Sequence, residues 1–500
     1  MKLELQDKWL YFPTILLALH FIYRLIDQSK LLYTFPLDIT NDISSYMAQL
    51  FFLDKCGFHN LCSYWYNGFI SFQFYPPGWY FFTFPLYKIF DNVLIATYLS
   101  LILIFIMGFF LLYKFGKTQK LSKMKRVCFF FLFFGNAIAV GNFIRLGRIT
   151  ELFSWIVFVS IMIVLFYYKD KKIDYRFFLL FIPLYALQII THQTEVVLIQ
   201  SIFLGFFLIK QSREKIHFIL AVISSLALSS FWWVPFITDL YTKSSVLEYT
   251  LSETLWDFSS EWLLTNIAAF FVPLALFITF YFYWKSSHKS KKELLFYGPM
   301  LIVGLIFFLR LTPFVPLLKN VYPDPHMTFF LFFIILFFLM TSYSIYPKFM
   351  KTLILISLIV IPIISVLANV YHTPKFQEHT ELERNTLELL EKVEGKFLVY
   401  GPPEKTSYSK AYYSYAPIYL NLSTPSGWAN MFITQEEKNR LLKLSLSIDN
   451  QQCDDLNKLF VEVQADELIT YDPHCSKVIT CGFIQRSKKN NVCLLRYDHD

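Results

Sequence analysis

The chain has 500 residues, 55% of them hydrophobic and 20% aromatic, with 57 phenylalanines and a formal net charge of +8. A soluble domain cannot bury that much apolar side chain, so the bilayer must act as part of the solvent. The positive balance collects in short loops between apolar runs, so it reports membrane orientation and argues against a nucleic-acid partner.

A span needs about 20 mostly apolar residues. About eleven are predicted from hydropathy, at roughly 9–27, 92–113, 127–144, 152–168, 176–192, 194–209, 216–236, 263–284, 294–310, 327–345 and 352–371. The fifth and sixth are short and share one apolar block. The N-terminal run is long, its flanks are mixed, and no small-x-small pattern follows it, so a cleaved signal peptide is not expected.

The first loop, 28–91, opens with FPLDITNDISSY. Asp38 and Asp42 are four apart and share a face if the segment is helical. The plain reading makes Asp42 the N-cap of ISSYMAQLFF and Asp38 a first-turn acid after Pro36. The functional reading makes one of them a general base at the membrane face. WYNGFISFQFYPPGWYFF (65–82) follows. Its aromatics suit a bilayer interface, but Pro76 and Pro77 also impose a rigid turn, fit to roof a cavity or stack on a sugar. Cys56 and Cys62 are the expected disulfide of this loop.

Basic loops at 114–126, 169–176, 210–215, 285–293 and 347–351 fall on one side of an eleven-span chain, which is therefore cytoplasmic, as is the N-terminus. Segments 28–91, 237–262 and 372–500 fall outside. Polar groups gather at the outer ends of spans: Arg145, Arg148 and Glu151 in GNFIRLGRITELF; His192 and Glu195 in THQTE; Arg310 and Lys319 in LRLTPFVPLLK; Asp324 and His326 in YPDPHM. Ionisable groups at that depth are site candidates, and several cations together would suit a lipid phosphate. The plain alternative is snorkelling to the interface.

Residues 1–371 thus read as a membrane domain and 372–500 as a small extracytoplasmic α/β domain. In the latter, TELERNTLELLEKV reads as an amphipathic helix, and KFLVYG, ELITYD, VITCGFIQRS and NVCLLRYD as strands, the last two a hairpin across KKNN. Cys453, Cys475, Cys481 and Cys493 lie here with pairing left open, and Asn421-Leu422-Ser423 is a glycosylation sequon. There is no Gly-rich phosphate loop, no CxxC pair and no metal-spaced His cluster in this segment.

A first span, an Asp at its outer end, a long loop, then Trp65-x-Asn67-Gly68 and Tyr75-Pro76-Pro77 with Tyr80 before the second span resembles the GT-C superfamily of polytopic glycosyltransferases. The closest likeness is to the pyruvoyl-tetrahydropterin-synthase-related membrane proteins, a name that implies no pterin chemistry here. In those proteins a His follows the Asp by about one turn; here Tyr46 holds that place, and His326 stands where a late span usually starts with a basic residue.

The resemblance implies an α-helical polytopic membrane protein that transfers a sugar from a polyprenyl-phosphate-linked donor to a glycan, protein or lipid acceptor outside a prokaryotic plasma membrane. Asp42 would be the base, with Asp38 in reserve. Arg145, His192, Arg310 and His326 would hold the leaving lipid phosphate. Arg148, Glu151, Glu195, Trp65, Asn67, Tyr75 and Tyr80 would line the substrate site. No organic cofactor is implied; a divalent cation is allowed, though only Asp38 and Asp42 are close in sequence. Two other classes compete. A lipid or polysaccharide transporter needs polar groups along a path to the cytoplasm, and these are sparse. A non-catalytic scaffold predicts that Asp42 merely caps or pairs.

Overall fold

The computed structural model describes residues 5–38, 42–242, 251–260, 262–401, 409–428 and 434–497. After a short helical stretch at Leu5–Trp9, helix α1 (Tyr11–Gln28) leads into the first loop. This loop is itself folded. It holds α2 (Ile43–Lys55), a hairpin of β1 (Leu61–Cys62) and β2 (Phe69–Ile70), and α3 (Gly78–Phe90). Leu61 pairs with Ile70 across the hairpin, and a Cys56–Cys62 disulfide ties its entry to the end of α2.

Helix α4 (Val93–Thr118) starts at Asn92, whose side-chain oxygen accepts from the amides of Leu94 and Ile95. Helix α5 (Lys123–Phe134) then breaks by 51° into 137–145. The last six residues of that piece, Val140–Arg145, are wound as a π-helix. Next come α6 (Ile149–Tyr168), α7 (Tyr175–Ile189), α8 (Gln193–Ile209), α9 (Ser212–Leu228), α10 (Ser230–Thr242), α11 (Leu263–Ser286), α12 (Lys291–Phe308), α13 (Pro323–Met340) and α14 (Lys348–His372).

Six of the described helices are long and apolar enough to cross a membrane, or eight if each of two bent pairs is one span. The eleven segments expected from hydropathy therefore divide differently. Helices α7 and α8 have 15 and 17 residues, short of the roughly 20 that cross a bilayer unaided. Helix α12 opens on Lys291, Lys292 and Glu293, which shortens its apolar stretch. Helix α6 is the most enclosed of the long helices. Phe158 meets Phe329 and Phe332 of α13 edge-on, and Trp155 meets Phe133 of α5. Such close ring packing holds helices together where lipid supplies no hydrophobic drive.

Beyond α14 lie α15 (Glu381–Leu390), β3 (Phe397–Tyr400), α16 (Ser409–Leu420), α17 (Gln435–Asp449), α18 (Cys453–Glu462), β4 (Glu467–Tyr471), α19 (His474–Ile479), β5 (Ile484–Lys489) and β6 (Val492–Arg496). The strands form one sheet in the order β3-β4-β6-β5, with β3 parallel to β4 and the other pairs antiparallel. Residues 478–479, expected in a strand, are the end of α19. A Cys475–Cys493 disulfide fixes that helix to β6, and Gly482 turns the chain at φ +94° before β5 begins. A Cys453–Cys481 bridge joins α18 to the same turn.

This C-terminal segment is fastened to the first loop. Helix α16 packs on α2. The Trp65 indole donates to the Tyr413 carbonyl at 2.7 Å, and Asn67 donates to the Val463 carbonyl at 2.9 Å. Six of the seven cysteines are bridged, and Cys128 is the buried thiol. Unfolded without reductant, the protein is expected to take up one maleimide, at Cys128, by mass spectrometry. Uptake at any of the other six would contradict the bridges.

Candidate active site

Asp42 holds the N-cap position of α2, yet its side chain makes no capping bond. It turns to Arg148, whose Nε lies 3.6 Å from the carboxylate. The expectation that Asp42 is simply a cap does not hold. Backbone contacts fix the approach. The Asp42 amide donates to the Leu146 carbonyl at 2.7 Å, and the Arg148 amide to the Asn142 carbonyl at 3.0 Å. Gly147 makes the turn between them at φ +68°, and a Cβ there would fall 2.7 Å from Cβ of Ile43. Gly147→Ala is expected to cost about 2–4 kcal/mol, from the left-handed backbone and from overpacking against Ile43. Thermal unfolding of purified protein checks this; an unchanged midpoint would refute it.

Arg148 gathers three acids. Besides Asp42, its Nη1 lies 3.1 Å from Asp324 and 3.9 Å from Glu151. Asn142, in the π-helical turn, donates to the same Asp324 oxygen at 3.3 Å. Glu151 also accepts from the Trp155 indole at 3.3 Å. Beside it, His192 Nδ1 lies 2.7 Å from Glu195, which accepts from Ser154 at 3.0 Å. Gln188 donates to Ser154 in turn. The Tyr-Pro-Pro-Gly turn closes over this region: the Gly78 amide donates to the Ile190 carbonyl at 2.6 Å. Tyr46, Tyr75, Trp79 and Tyr80 form a wall of rings, with Tyr46 5.9 Å from Tyr75 and 6.5 Å from Tyr80.

Asp42 is recessed but open, with 41% of its side chain exposed. Burial raises its carboxyl above the ordinary aspartate range, and the Arg148 charge works against that rise. For His192 burial acts to lower the pKa, but the Glu195 carboxylate outweighs it and the imidazole ends above its usual value.

The structure thus brings together Asp42, Arg148, Glu151, His192, Glu195, Asp324, Tyr75 and Tyr80 among the residues singled out in the sequence. Others lie elsewhere. Asp38 is not in the first turn of a helix; it is buried in an ion pair with Arg145, whose Nε donates to the Pro374 carbonyl at 2.9 Å. Arg24 donates to that same carbonyl at 2.9 Å. Arg310 binds the Leu255 carbonyl and Asn266 under the ring of Phe258. His326 is fully buried, bonded to the Tyr322 carbonyl at 3.1 Å and stacked on Phe307. Trp65 and Asn67 fasten the C-terminal segment, as described above.

Sequence reasoning missed Asn142, Ser154 and Gln188. Ser154 falls one helical turn after Glu151, which was a usable signal. Gln188 is an amide in an apolar helix, a pattern that points to a polar neighbour. Among the described residues no group of three or more His, Cys, Asp or Glu side chains is arranged to hold a metal ion. The acids Asp42, Glu151 and Asp324 converge on the Arg148 guanidinium.

No family model and no curated sequence matches the chain. Solved structures do. The mycobacterial arabinofuranosyltransferase AftD aligns over 97% of this chain with a TM-score of 0.61 at 13% identity, and the chain spans 40% of its length. ArnT from Cupriavidus metallidurans, solved with undecaprenyl phosphate, aligns over 96% of this chain and 97% of its own, with a TM-score of 0.55 at 11% identity. The oligosaccharyltransferase AglB from Archaeoglobus fulgidus, solved with an inhibitory peptide and a dolichol-phosphate, aligns over 92% of this chain and 70% of its own, with a TM-score of 0.52 at 10% identity. At these identities the likeness is one of architecture. The chain is an integral, multi-pass membrane protein with the fold of the GT-C glycosyltransferases.

Proposed function

We propose that the protein is a membrane glycosyltransferase. It takes a sugar from a polyprenyl-phosphate-linked donor and passes it to an acceptor hydroxyl on the extracytoplasmic side, with 372–500 as an extracytoplasmic domain. The observation that carries the reading is Asp42: an open carboxylate, free of capping, oriented by one guanidinium, on a GT-C fold. The Trp-x-Asn-Gly and Tyr-Pro-Pro pattern of the pyruvoyl-tetrahydropterin-synthase-related membrane proteins supports the same assignment.

The chemistry is a displacement at the anomeric carbon. The acceptor oxygen forms the new bond as the sugar–phosphate bond breaks, the phosphate leaves with its electron pair, and Asp42 takes the hydroxyl proton. A phosphate leaving group needs little acid help, so one carboxylate suffices, unlike the paired acids of glycoside hydrolysis. Arg148 fixes the orientation of Asp42. Arg145, Arg310 and the buried His326 are held away from Asp42, and His192, itself paired with Glu195, is the candidate cation for the departing phosphate.

The test is transfer from a panel of radiolabelled polyprenyl-phosphate sugars in membranes carrying the wild type or Asp42→Asn at matched expression. Transfer by the wild type and its loss in the variant supports the reading; equal transfer by both removes Asp42 from it. The pH profile gives a second check. A base whose pKa is raised on burial stops working as pH falls through that raised value. The acid limb is therefore expected above the roughly 3.9 of a free aspartate. Arg148→Gln, which removes the opposing charge, is expected to move the limb to still higher pH. A limb at or below the free-aspartate value would show that the Arg148 charge outweighs burial at Asp42.

A further inference from the structure

Helix α12 is too short to cross a bilayer. Without Lys291, Lys292 and Glu293 its 18 residues leave about 15, or roughly 22 Å at 1.5 Å each, against roughly 30 Å of hydrocarbon. Lys292 is exposed and lies 2.6 Å from Asp170, which holds that end of the helix at the polar boundary. Tilt only widens the shortfall at the other end. Yet the chain stays apolar past Phe308: in 309–318, LRLTPFVPLL, only Arg310 and Thr312 have polar side chains.

This stretch is built inside out. Arg310 turns inward to the Leu255 carbonyl and Asn266, and Thr312 is buried. The backbone is served from within. The amides of Leu309, Arg310 and Leu311 donate to the carbonyls of Leu305, Phe307 and Ile306, and those of Phe314 and Val315 to Leu311 and Thr312. Pro313 and Pro316 have no amide to satisfy. The neighbouring stretch 251–258 adds two bonds. The Trp256 indole donates to the Arg310 carbonyl at 3.2 Å, and Ser252 donates to the Lys319 carbonyl at 3.0 Å. What faces outward is apolar: Trp256, Phe258, Phe314 and Leu317 are 52%, 60%, 74% and 68% exposed. A loop in water seldom displays such a patch, whereas a loop in hydrocarbon has to satisfy its polar groups internally and show its apolar ones.

We infer that 309–318 is immersed among the acyl chains of the leaflet on the Asp42 side, completing the crossing that α12 begins, with Trp256 and Phe258 at the headgroup boundary. The patch continues the lipid-facing flank of the long helix α11, where Leu263, Leu264, Ile267 and Phe271 are exposed. Exposed Glu253 and Asp257 keep 251–258 at the polar boundary, a depth that suits tryptophan, and exposed Lys319 and Asn320 bring the chain back to it. Helix α13 then begins, and its second residue is Asp324, so lipid anchors the chain just before it reaches Arg148. The inference does not depend on the proposed reaction.

The experiment attaches a nitroxide at Phe314→Cys, at Leu317→Cys and, as an aqueous reference, at Lys443→Cys on α17. Each variant is the full chain, reconstituted in phosphatidylethanolamine–phosphatidylglycerol vesicles. All three positions are exposed, so the fold is not at stake, and the bridged cysteines and buried Cys128 leave the wild type as the background. Molecular oxygen concentrates in hydrocarbon, and a nickel chelate stays in water. Oxygen is expected to relax the labels at 314 and 317 severalfold more than the chelate does, with the order reversed at 443. Chelate access at 314 and 317 equal to that at 443 would put the loop in water and overturn the inference. Poor access by both reagents would mean that protein, a second copy or another part of the chain, covers the patch, and would overturn it as well.

Discussion

Asp42→Asn is expected to lower sugar transfer by at least a hundredfold, and up to ten-thousandfold, while the protein stays folded. That range is the usual worth of a positioned general base. The fold should survive because the Asp42 side chain caps nothing, and the start of α2 is held by backbone bonds to the Leu146 carbonyl instead. Asparagine keeps the shape and can still face Arg148. The measurement is transfer per folded molecule, with the thermal midpoint recorded in parallel. A loss of transfer that tracks a loss of folded protein would assign Asp42 a structural role, and wild-type transfer by the variant would end its candidacy.

Asp38→Asn is expected to behave in the opposite way. Its partner Arg145 is 2% exposed and Asp38 itself 6%, so the variant leaves a guanidinium uncompensated in the interior. Breaking such a pair from one side costs about 3–5 kcal/mol. The double variant Asp38→Leu with Arg145→Met is expected to recover much of that loss, because an apolar pair of similar volume avoids the desolvation penalty. Thermal unfolding of the two single variants and the double one tests this directly. Equal stability of Asp38→Asn and the wild type would show that the pair holds nothing. If Asp38→Asn instead stayed stable and lost transfer, the two aspartates would have to exchange roles.

These two acids look alike in the sequence, four residues apart in one loop, and only tertiary contacts separate them. Arg145 comes to Asp38 from more than a hundred residues away, and no local pattern announces it. The same holds for Asp324, which reaches Arg148 across the fold. What the sequence does show is local. Arg148 with Glu151 and His192 with Glu195 are spaced three apart, so each pair reads as one helical turn, and each lies beside Asp42 or its neighbours. The Tyr-Pro-Pro-Gly break was legible because two prolines leave the chain few choices, and glycine at 78 lets it touch the 190–191 turn. Trp65 and Asn67 misled because an aromatic and an amide on a loop suit a sugar and a neighbouring carbonyl equally well. Arg310 misled because a cation near an apolar run can be satisfied by groups from a distant segment, here the Leu255 carbonyl and Asn266. The segment at 478–479 misled because its β-branched residues favour a strand, and a disulfide to β6 overrides that preference.

The wide winding at 140–145 has a consequence for phase. A π-helical turn holds one residue more than an α-helical turn of the same reach, and each residue of an α-helix advances the chain by about 100°. Deleting one residue there lets the stretch rewind as ordinary helix over the same reach, so the groups beyond it keep their phase, Arg145 on Asp38 and Arg148 on Asp42. Rewinding all the residues of the stretch as ordinary helix instead turns everything beyond by roughly a quarter of a circle and takes both cations off their acids at once. Substitutions in this stretch alter one contact at a time, whereas a change in its winding alters all of them. The winding between Asn136 and Gly147 is as much a part of the site as the side chains it aims.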